Sequence, residues 1–334
     1  MIPDHLPTVL LHNLDPNWSE GERTMALEPV EALEKAMSKV GRVVEVVPLQ
    51  DERIDEALAP FGADSHLVFN WCESVPGVDH SEALVARALE SMEFTFTGAS
   101  SEVLELCSDK RRVKEALEGA GIPTPVWRLC ESPDVPGWTR FPAIVKPVNE
   151  HCSEGITSEA VVMDGPELEA RIAFILDGYR QPALVEDFID GREFHVSLWG
   201  NGRVEMLPPA EMDFSGFPAV RDRLCTFDSK FVPGSRHYEG IHTLLPAPLS
   251  ANELAAMEAV CRRAYQVISC RDYGRLDLRV RDGVCFILDV NPNADISYDA
   301  SLACAAEVVG HSYGEVGDRI LRLAARRHPG AAGS

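Results

Sequence analysis

Positive charge is scarce in this chain: 31 Lys and Arg stand against 53 Asp and Glu, a formal net charge of −22 at pH 7. Phosphate backbones and anionic lipid surfaces bind basic faces, so this balance argues against nucleic-acid and membrane-surface partners. It still permits a nucleotide ligand, which needs only a local group of Lys, Arg and metal. No apolar run approaches the ~20 residues that span a bilayer. The opening MIPDHLPTVLLHN has no basic stretch ahead of a long apolar core and predicts no secretion signal. The nine cysteines come singly, with no CxxC and no framework spacing. That pattern predicts reduced thiols and a cytoplasmic location. Repeats and low-complexity stretches are also lacking, apart from a short tail, HPGAAGS, read as frayed.

What is present is an ordinary globular composition, 45% apolar and 25% charged, over 334 residues. That length accommodates two or three domains. Strands are expected at Thr8–His12, Arg42–Pro48 and His66–Asn70, with helices near Met25–Val40, Asp51–Ala59 and Ser81–Met92. This alternation predicts a small doubly wound parallel sheet. Ser108 opens a further helix that stops at Gly119/Gly121-Pro123. A strand at Ala143–Pro147, a polar loop, a strand at Ala160–Met163 and a helix at Pro166–Ile175 follow. Ala183–Ile189 and Glu193–Trp199 read as a strand pair around Asp190-Gly191. Pro208–Leu245 is long and aperiodic, hence a functional or a disordered loop. Helices Ala251–Ser269 and Tyr313–Arg327 complete the pattern.

Residues 272–293, DYGRLDLRVRDGVCFILDVNPN, carry the most chemistry. Leu276, Leu278 and Val280 alternate with Arg275, Asp277 and Arg279, and Val284, Phe286, Leu288 and Val290 alternate with Ile287, Asp289 and Asn291. Period-2 alternation of this kind predicts a β-hairpin with one apolar face. A three-residue loop, Arg281-Asp282-Gly283, with Gly283 left-handed, places Leu278 opposite Phe286 and Leu276 opposite Leu288. Asp277 and Asp289 are then diagonal neighbours on the polar face, and Arg275 stands opposite Asp289. A two-residue loop would put the two aspartates on opposite faces. Carboxylates this close call for a positive partner, and carboxylate plus amide oxygens suit Mg²⁺. A solvated face offset by Arg275 and Arg279 would show the same pattern.

Seven motifs stand in order: SDK (108–110), AIVKP (143–147), NEHCSEGI (149–156), LVEDFIDGREF (184–194), FDSKF (227–231), GRLDL (274–278) and LDVNPN (288–293). The series resembles the ATP-grasp superfamily and is most similar to the D-alanine–D-alanine ligases, with VFNWCES (68–74) and FTG (96–98) extending the likeness to the first hundred residues. The resemblance implies a three-domain ATP-grasp fold of α/β and α+β type. Its parts are an N-terminal doubly wound domain (1–100), a central subdomain with a phosphate loop (101–189) and a C-terminal subdomain with the metal site (190–328). It implies ATP as cosubstrate and Mg²⁺, commonly two ions, with Mn²⁺ as a substitute. Lys146, Lys110, Ser153 and Gly155 are then placed on the phosphates, Glu186 and the Asp187, Phe188 and Ile189 backbone on the adenine, and Glu193 on the ribose. Asp277, Asp289 and Asn291 match the metal ligands, Arg275 the arginine that stabilises the acyl phosphate, and Lys230 the lysine of the covering loop. Glu22 fits the position of the glutamate that anchors the first substrate's amine.

The chain also departs from the family pattern. Cys152 replaces the first of two adjacent serines, and Phe231 replaces the tyrosine after the loop lysine. A thiol is a weak donor and phenylalanine has none. Pro292-Asn293-Ala294-Asp295-Ile296-Ser297 replaces the usual Pro-Gly-hydrophobic-Thr/Ser segment. The nucleotide half of the expected site is therefore intact and the acceptor half rewritten. The expected activity is ATP-dependent ligation of a small carboxylate to an amine through an acyl phosphate, giving a dipeptide-like or specialised product. A hydroxyl, thiol or intramolecular acceptor, a true D-alanine–D-alanine ligase, a non-enzymatic nucleotide binder and a homodimer are the alternatives left open.

Overall fold

The computed structural model describes residues 6–150 and 153–333. Its first part runs β1 (Thr8–Asn13), α1 (Glu20–Lys39), β2 (Val44–Leu49), α2 (Ile54–Leu58), β3 (Leu67–Trp71), α3 (Glu82–Ser91) and β4 (Thr95–Phe96). The strands form one parallel sheet in the order β2-β1-β3-β4. Successive β1 residues point to opposite faces. Val9 and Leu11 pack with Ile54, Leu58, Val85 and Leu89, while Leu10 packs with Leu33, Met37 and Phe69. Both faces are covered, as a doubly wound sheet requires. The second face is closed partly by the distant helix Tyr313–Ala325, through Ile320 and Leu321. Helix α1 begins at Glu20 rather than near Met25, because Ser19 caps it in a box with Glu22.

Helices α4 (Ser101–Cys107) and α5 (Lys110–Gly119) lead into the second sheet. Asp109 caps α5, accepting from the amides of Arg111 and Arg112, so the helix opens one residue later than Ser108 suggests. Strands β5 (Trp127–Cys130), β6 (Ala143–Pro147), β7 (Val161–Val162) and β8 (Ala183–Asp187) pair antiparallel in the order β5-β8-β6-β7. Between β7 and β8, helix α6 (Gly165–Tyr179) lays Leu168, Ile172 and Ile175 over the sheet.

The third sheet holds β9 (Arg192–Trp199), β10 (Glu205–Met206), β11 (Ala210–Asp213), β12 (His242–Leu244), β13 (Tyr273–Arg281) and β14 (Val284–Asn291). Its order is β12-β11-β9-β13-β14, with β10 on β9. Strands β8 and β9 are therefore not a pair: Asp190-Gly191 carries the chain from one sheet to the next. Gly191 lies so close to the Val280 carbonyl that a Cβ there would clash. Pro208–Leu245 is neither one loop nor disordered. It contributes β11 and β12 and, between them, the short helices α7 (Asp228–Phe231) and α8 (Arg236–Gly240). Helix α9 (Ala251–Val267) packs Met257, Cys261 and Tyr265 beneath the sheet, and α10 (Ser301–Val308) and α11 (Tyr313–Ala325) follow. Pro329–Gly333 is a 3-10 turn rather than a frayed tail.

The hairpin register corrects the expectation. The turn has two residues, Asp282 (φ 53°) and Gly283 (φ 76°), with Arg281 opposite Val284. Positive φ at both positions is the type I′ geometry that suits twisted strands. Leu278 pairs with Ile287, not Phe286, and Val280 with Cys285, so Cys285 and Ile287, with Val290 beyond the bulge, are the buried residues of β14. A two-residue turn alone would put Asp289 on the core side. A register shift between Asp277 and Leu278 prevents this: Leu288 is the extra residue, and Asp277 directly faces Asp289. This bulge returns Asp289 and Asn291 to the polar face.

Candidate active site

Three neighbouring strands build one polar floor. Across β9 and β13, Glu193 pairs with Arg279, His195 with Asp277 and Ser197 with Arg275. Across β13 and β14, Asp277 pairs with Asp289 and Arg275 with Asn291. Paired residues share a face, so all eight side chains point the same way, while Phe194, Val196, Leu276, Leu278 and Ile287 fill the core behind them. Arg275 is not opposite Asp289 as expected. It grips Asp277 on its own strand, Nε to Oδ1 at 2.7 Å and an NH2 to Oδ2 at 3.0 Å. Burial alone would raise the pKa of Asp277. The Arg275 guanidinium and then His195 more than reverse this, holding it well below the usual aspartate range. The amide nitrogen of Asn291 faces Asp277 Oδ2 at 3.4 Å.

Two carboxylates and one amide, all oxygen donors on one rigid face, fit a hard divalent cation. Asp277 and Asn291 would have to loosen their present bonds, and Asn291 to turn its oxygen inward. Among the described residues a second donor set, Glu193, His195 and Cys225, has ligand atoms within 4.8 Å of one another. Neither histidine nor cysteine here figured in the sequence reading.

The second sheet contributes cations. Lys146 on β6 donates to Glu186 Oε2 at 2.7 Å, and Lys114 of α5 ion-pairs with Glu186 Oε1. Burial would raise the Glu186 pKa, but the Lys114 and Lys146 ammoniums outweigh it and the carboxyl lies below its ordinary value. Lys110 is buried on the same helix and donates to the Glu150 carbonyl. Burial lowers its pKa, with Asp289 opposing. Lys114 was missed although its signal was present: it stands four residues after Lys110 and so shares a helix face with it.

Glu193 is buried, with Oε2 held by Arg279 Nε at 2.7 Å. The same guanidinium donates to the Ile189 carbonyl at 2.9 Å. Along the hinge, the Asp187 amide donates to Val126 O and the Phe188 amide to Pro142 O, while the Asp187 carboxylate takes Arg281 at 2.7 Å. Ser153 (φ 63°) and Gly155 (φ 72°) both adopt the left-handed conformation. Ser153 Oγ donates to Cys225 O at 3.1 Å and Gly155 O accepts from Arg171 at 2.5 Å. Cys152 lies outside the described residues. Lys230 is exposed on α7, near enough for its charge to act on Asp277 and His195. Phe231 is exposed and tilts against Phe227, with ring centroids 4.8 Å apart.

Glu22 is not brought to this floor. It is exposed on the first turn of α1, and its Oε2 takes both the Ser19 amide and hydroxyl, at 2.8 and 2.7 Å.

The family model described as the D-ala D-ala ligase C-terminus matches residues 127–322. The chain belongs to this family. Membership makes it an ATP-dependent ligase that forms C–N bonds, on the ATP-grasp fold. Among relatives of this ligase, the "uncharacterized protein y4sG" of Sinorhizobium fredii is 32% identical over 276 residues, 81% of this chain and 78% of that protein. A D-alanine–D-alanine ligase of Pseudothermotoga lettingae is 25% identical over 305 residues, 91% of this chain and 96% of its own. Among solved structures, the D-alanine–D-alanine ligase of Bacillus anthracis complexed with ATP superposes with a TM-score of 0.74 at 18% identity. It covers 96% of this chain and 98% of that one. No helix among the described residues is long and apolar enough to cross a membrane.

Proposed function

We propose that the chain joins a small carboxylate to an amine through an acyl phosphate, and that its product is not D-alanyl-D-alanine. The observation that carries the reading is the floor of Arg275, Asp277, Asp289 and Asn291 on β13 and β14, in a chain that also presents Lys110 and Lys146 near Asp289 and Glu186. ATP would lie between the second and third sheets, its phosphates at Lys110, Lys146, Ser153 and Gly155 and its nucleoside at Glu186, the 187–189 backbone and Glu193. Asp277, Asp289 and Asn291 would hold Mg²⁺, which when bound neutralises phosphate charge. A substrate carboxylate oxygen attacks the γ-phosphorus, the bond to the β-phosphate oxygen breaks and ADP leaves. The amine nitrogen then adds to the acyl carbon, phosphate departs and the amine's proton passes to solvent. Arg275 stabilises the negative charge that develops on the acyl oxygens, and Lys230 covers the reacting group. No protein nucleophile is needed. The division at 1–100, 101–189 and 190–328 matches these roles.

Support for a changed product comes from Phe231 and Cys152. A substrate polar group left facing them without a partner loses about 1–3 kcal/mol. The test is ADP release over pairs of carboxylic and amino acids. Larger or differently shaped pairs are expected to surpass D-alanine alone. If D-alanine alone is as efficient as every other pair, the chain is an ordinary D-alanine–D-alanine ligase. Release with hydroxylamine but with no amino acid would point to another acceptor class.

A further inference from the structure

The C-terminal ends of β1 and β3 open into a cavity of about 160 Å³, walled by Trp18 and Trp71 and carrying His12, Glu73, Asp295 and Ser297. A second cavity of about 220 Å³ adjoins it through shared Asn13 and Trp18 and adds Asp15 and Asp79. Four carboxylates thus line one trough. Among the described residues no Lys or Arg lines either cavity. His12 is almost fully buried, and burial lowers its pKa and so disfavours a charge that would offset the carboxylates. Its Nδ1 lies 3.3 Å from the Asn13 carbonyl. Asp295 raises the Glu73 pKa, after burial, and also stabilises the charge of Arg275. Glu22, the carboxylate expected to hold the first substrate's amine, lines neither cavity.

Resting on the ligase reading above, we propose that this trough recognises a second positive charge on the substrate, a side-chain ammonium or guanidinium beyond any α-amine. The substrate is then a basic amino acid or a short peptide ending in one. Its carboxylate meets Arg275, and its distal cation sits against Trp18 and Trp71 between Glu73 and Asp295. Carboxylates with aromatic walls suit an organic cation better than a metal, because an indole face attracts positive charge but offers no lone pair to coordinate it. Asp295 lies four residues past Asn291, on the segment that leaves the floor for the first sheet.

Two measurements separate this proposal from the ligase reading. The first is the KM for ADP release with arginine, ornithine and lysine, in both enantiomers, against citrulline, norvaline and norleucine. A basic substrate should have a KM at least about tenfold lower than its neutral counterpart, and Glu73→Gln and Asp295→Asn should each shrink that gap while kcat with the neutral substrate stays within about twofold. Asn at 295 retains the oxygen that accepts from Ser297, so the local turn survives. The second needs no turnover: tryptophan fluorescence is titrated with arginine and with citrulline in the absence of ATP, with Trp18→Phe as the control. Saturable quenching by arginine alone, lost in Glu73→Gln, upholds the cavity even if no pair releases ADP, and in that case only the ligase reading falls. Equal KM values or equal quenching for arginine and citrulline overturn the cation site and leave the ligase reading standing. Quenching by Mn²⁺ but not by arginine also overturns it, because the trough would then be a metal site.

Discussion

At the scale of single residues, charge placement decides most of the behaviour. Asp289 and Asn291 lie on the polar floor and are not part of the core, so Asp289→Asn and Asn291→Ala should lower turnover at least about 100-fold while leaving the melting curve close to wild type. Full activity of either variant at saturating Mg²⁺ would remove both from the metal set. Glu82 gives a pH dependence whose sign can be worked out. Burial raises its pKa to about 7, with a hydrogen bond from Asn293 opposing. A folded-state pKa above the unfolded value means that the stabilising contribution is complete below about pH 4.5 and is lost as pH rises through about 7. Glu82→Gln should therefore melt higher than wild type at pH 8, and the two should converge by pH 5. A gap that is constant with pH would show that Glu82 ionises normally. Lys110 and Lys146 stood out in the sequence as cations at a helix start and a strand end, Asp277 as a carboxylate on the polar face of the hairpin, and Glu186 through the family resemblance. Lys114, His195, Cys225 and the Arg279 grip on Glu193 did not, because each depends on which side chain meets another across sheets.

At the scale of elements, a tight turn and a long excursion join strands of the third sheet. The β13–β14 turn needs positive φ at Asp282 and Gly283, and an added Cβ at Gly283 meets open space. Gly283→Ala should thus cost only the strain of the backbone, about 1 kcal/mol in a denaturant melt, with turnover preserved. A loss several times larger would mean that the turn is packed as well as strained. The excursion between β11 and β12 latches onto the loop and helix of the second sheet. The Phe227 amide donates to Ile156 O, Ser158 Oγ to Asp222 at 2.8 Å, and Arg221 pairs with Glu167 at 2.6 Å. Phe217, Leu224 and Thr226 are buried, so the excursion is anchored along part of its length, while Phe227 and residues 231–234 are exposed, and exposed segments open at lower free-energy cost. Hydrogen exchange in residues 214–241 and 153–156 should slow when an ATP analogue is added. Unchanged exchange in both would show that the excursion is not a lid. The expectation of a functional or disordered loop over 208–245 missed its secondary structure for a physical reason: β11 and β12 are only four and three residues long, too short to show a period.

At the scale of the whole molecule, one buried carboxylate ties the parts together. Asp272 is fully buried and takes Arg327 in a two-pronged pair at 2.6 and 2.7 Å, the Gly98 amide at 3.0 Å and the Asn201 side chain at 2.8 Å. The first sheet's end, the third sheet and the segment after α11 therefore meet on it. Asp272→Ala should lower the unfolding free energy by about 3–5 kcal/mol, because it strands the Arg327 guanidinium without its anion. A change under about 1 kcal/mol in a denaturant melt would show that the tie is dispensable. By itself the sequence determined most of the element types, the alternation that makes the first sheet parallel and the seven ordered motifs. These follow from periodicity and local chemistry, which neighbours along the chain express directly. Only the tertiary structure decided the bulge that returns Asp289 to the polar face, the separation of β8 from β9, the closing of the first sheet by α11 and the meeting of Glu73 with Asp295. Each depends on contacts between residues far apart in sequence, where the free energy of packing and pairing outweighs local preference.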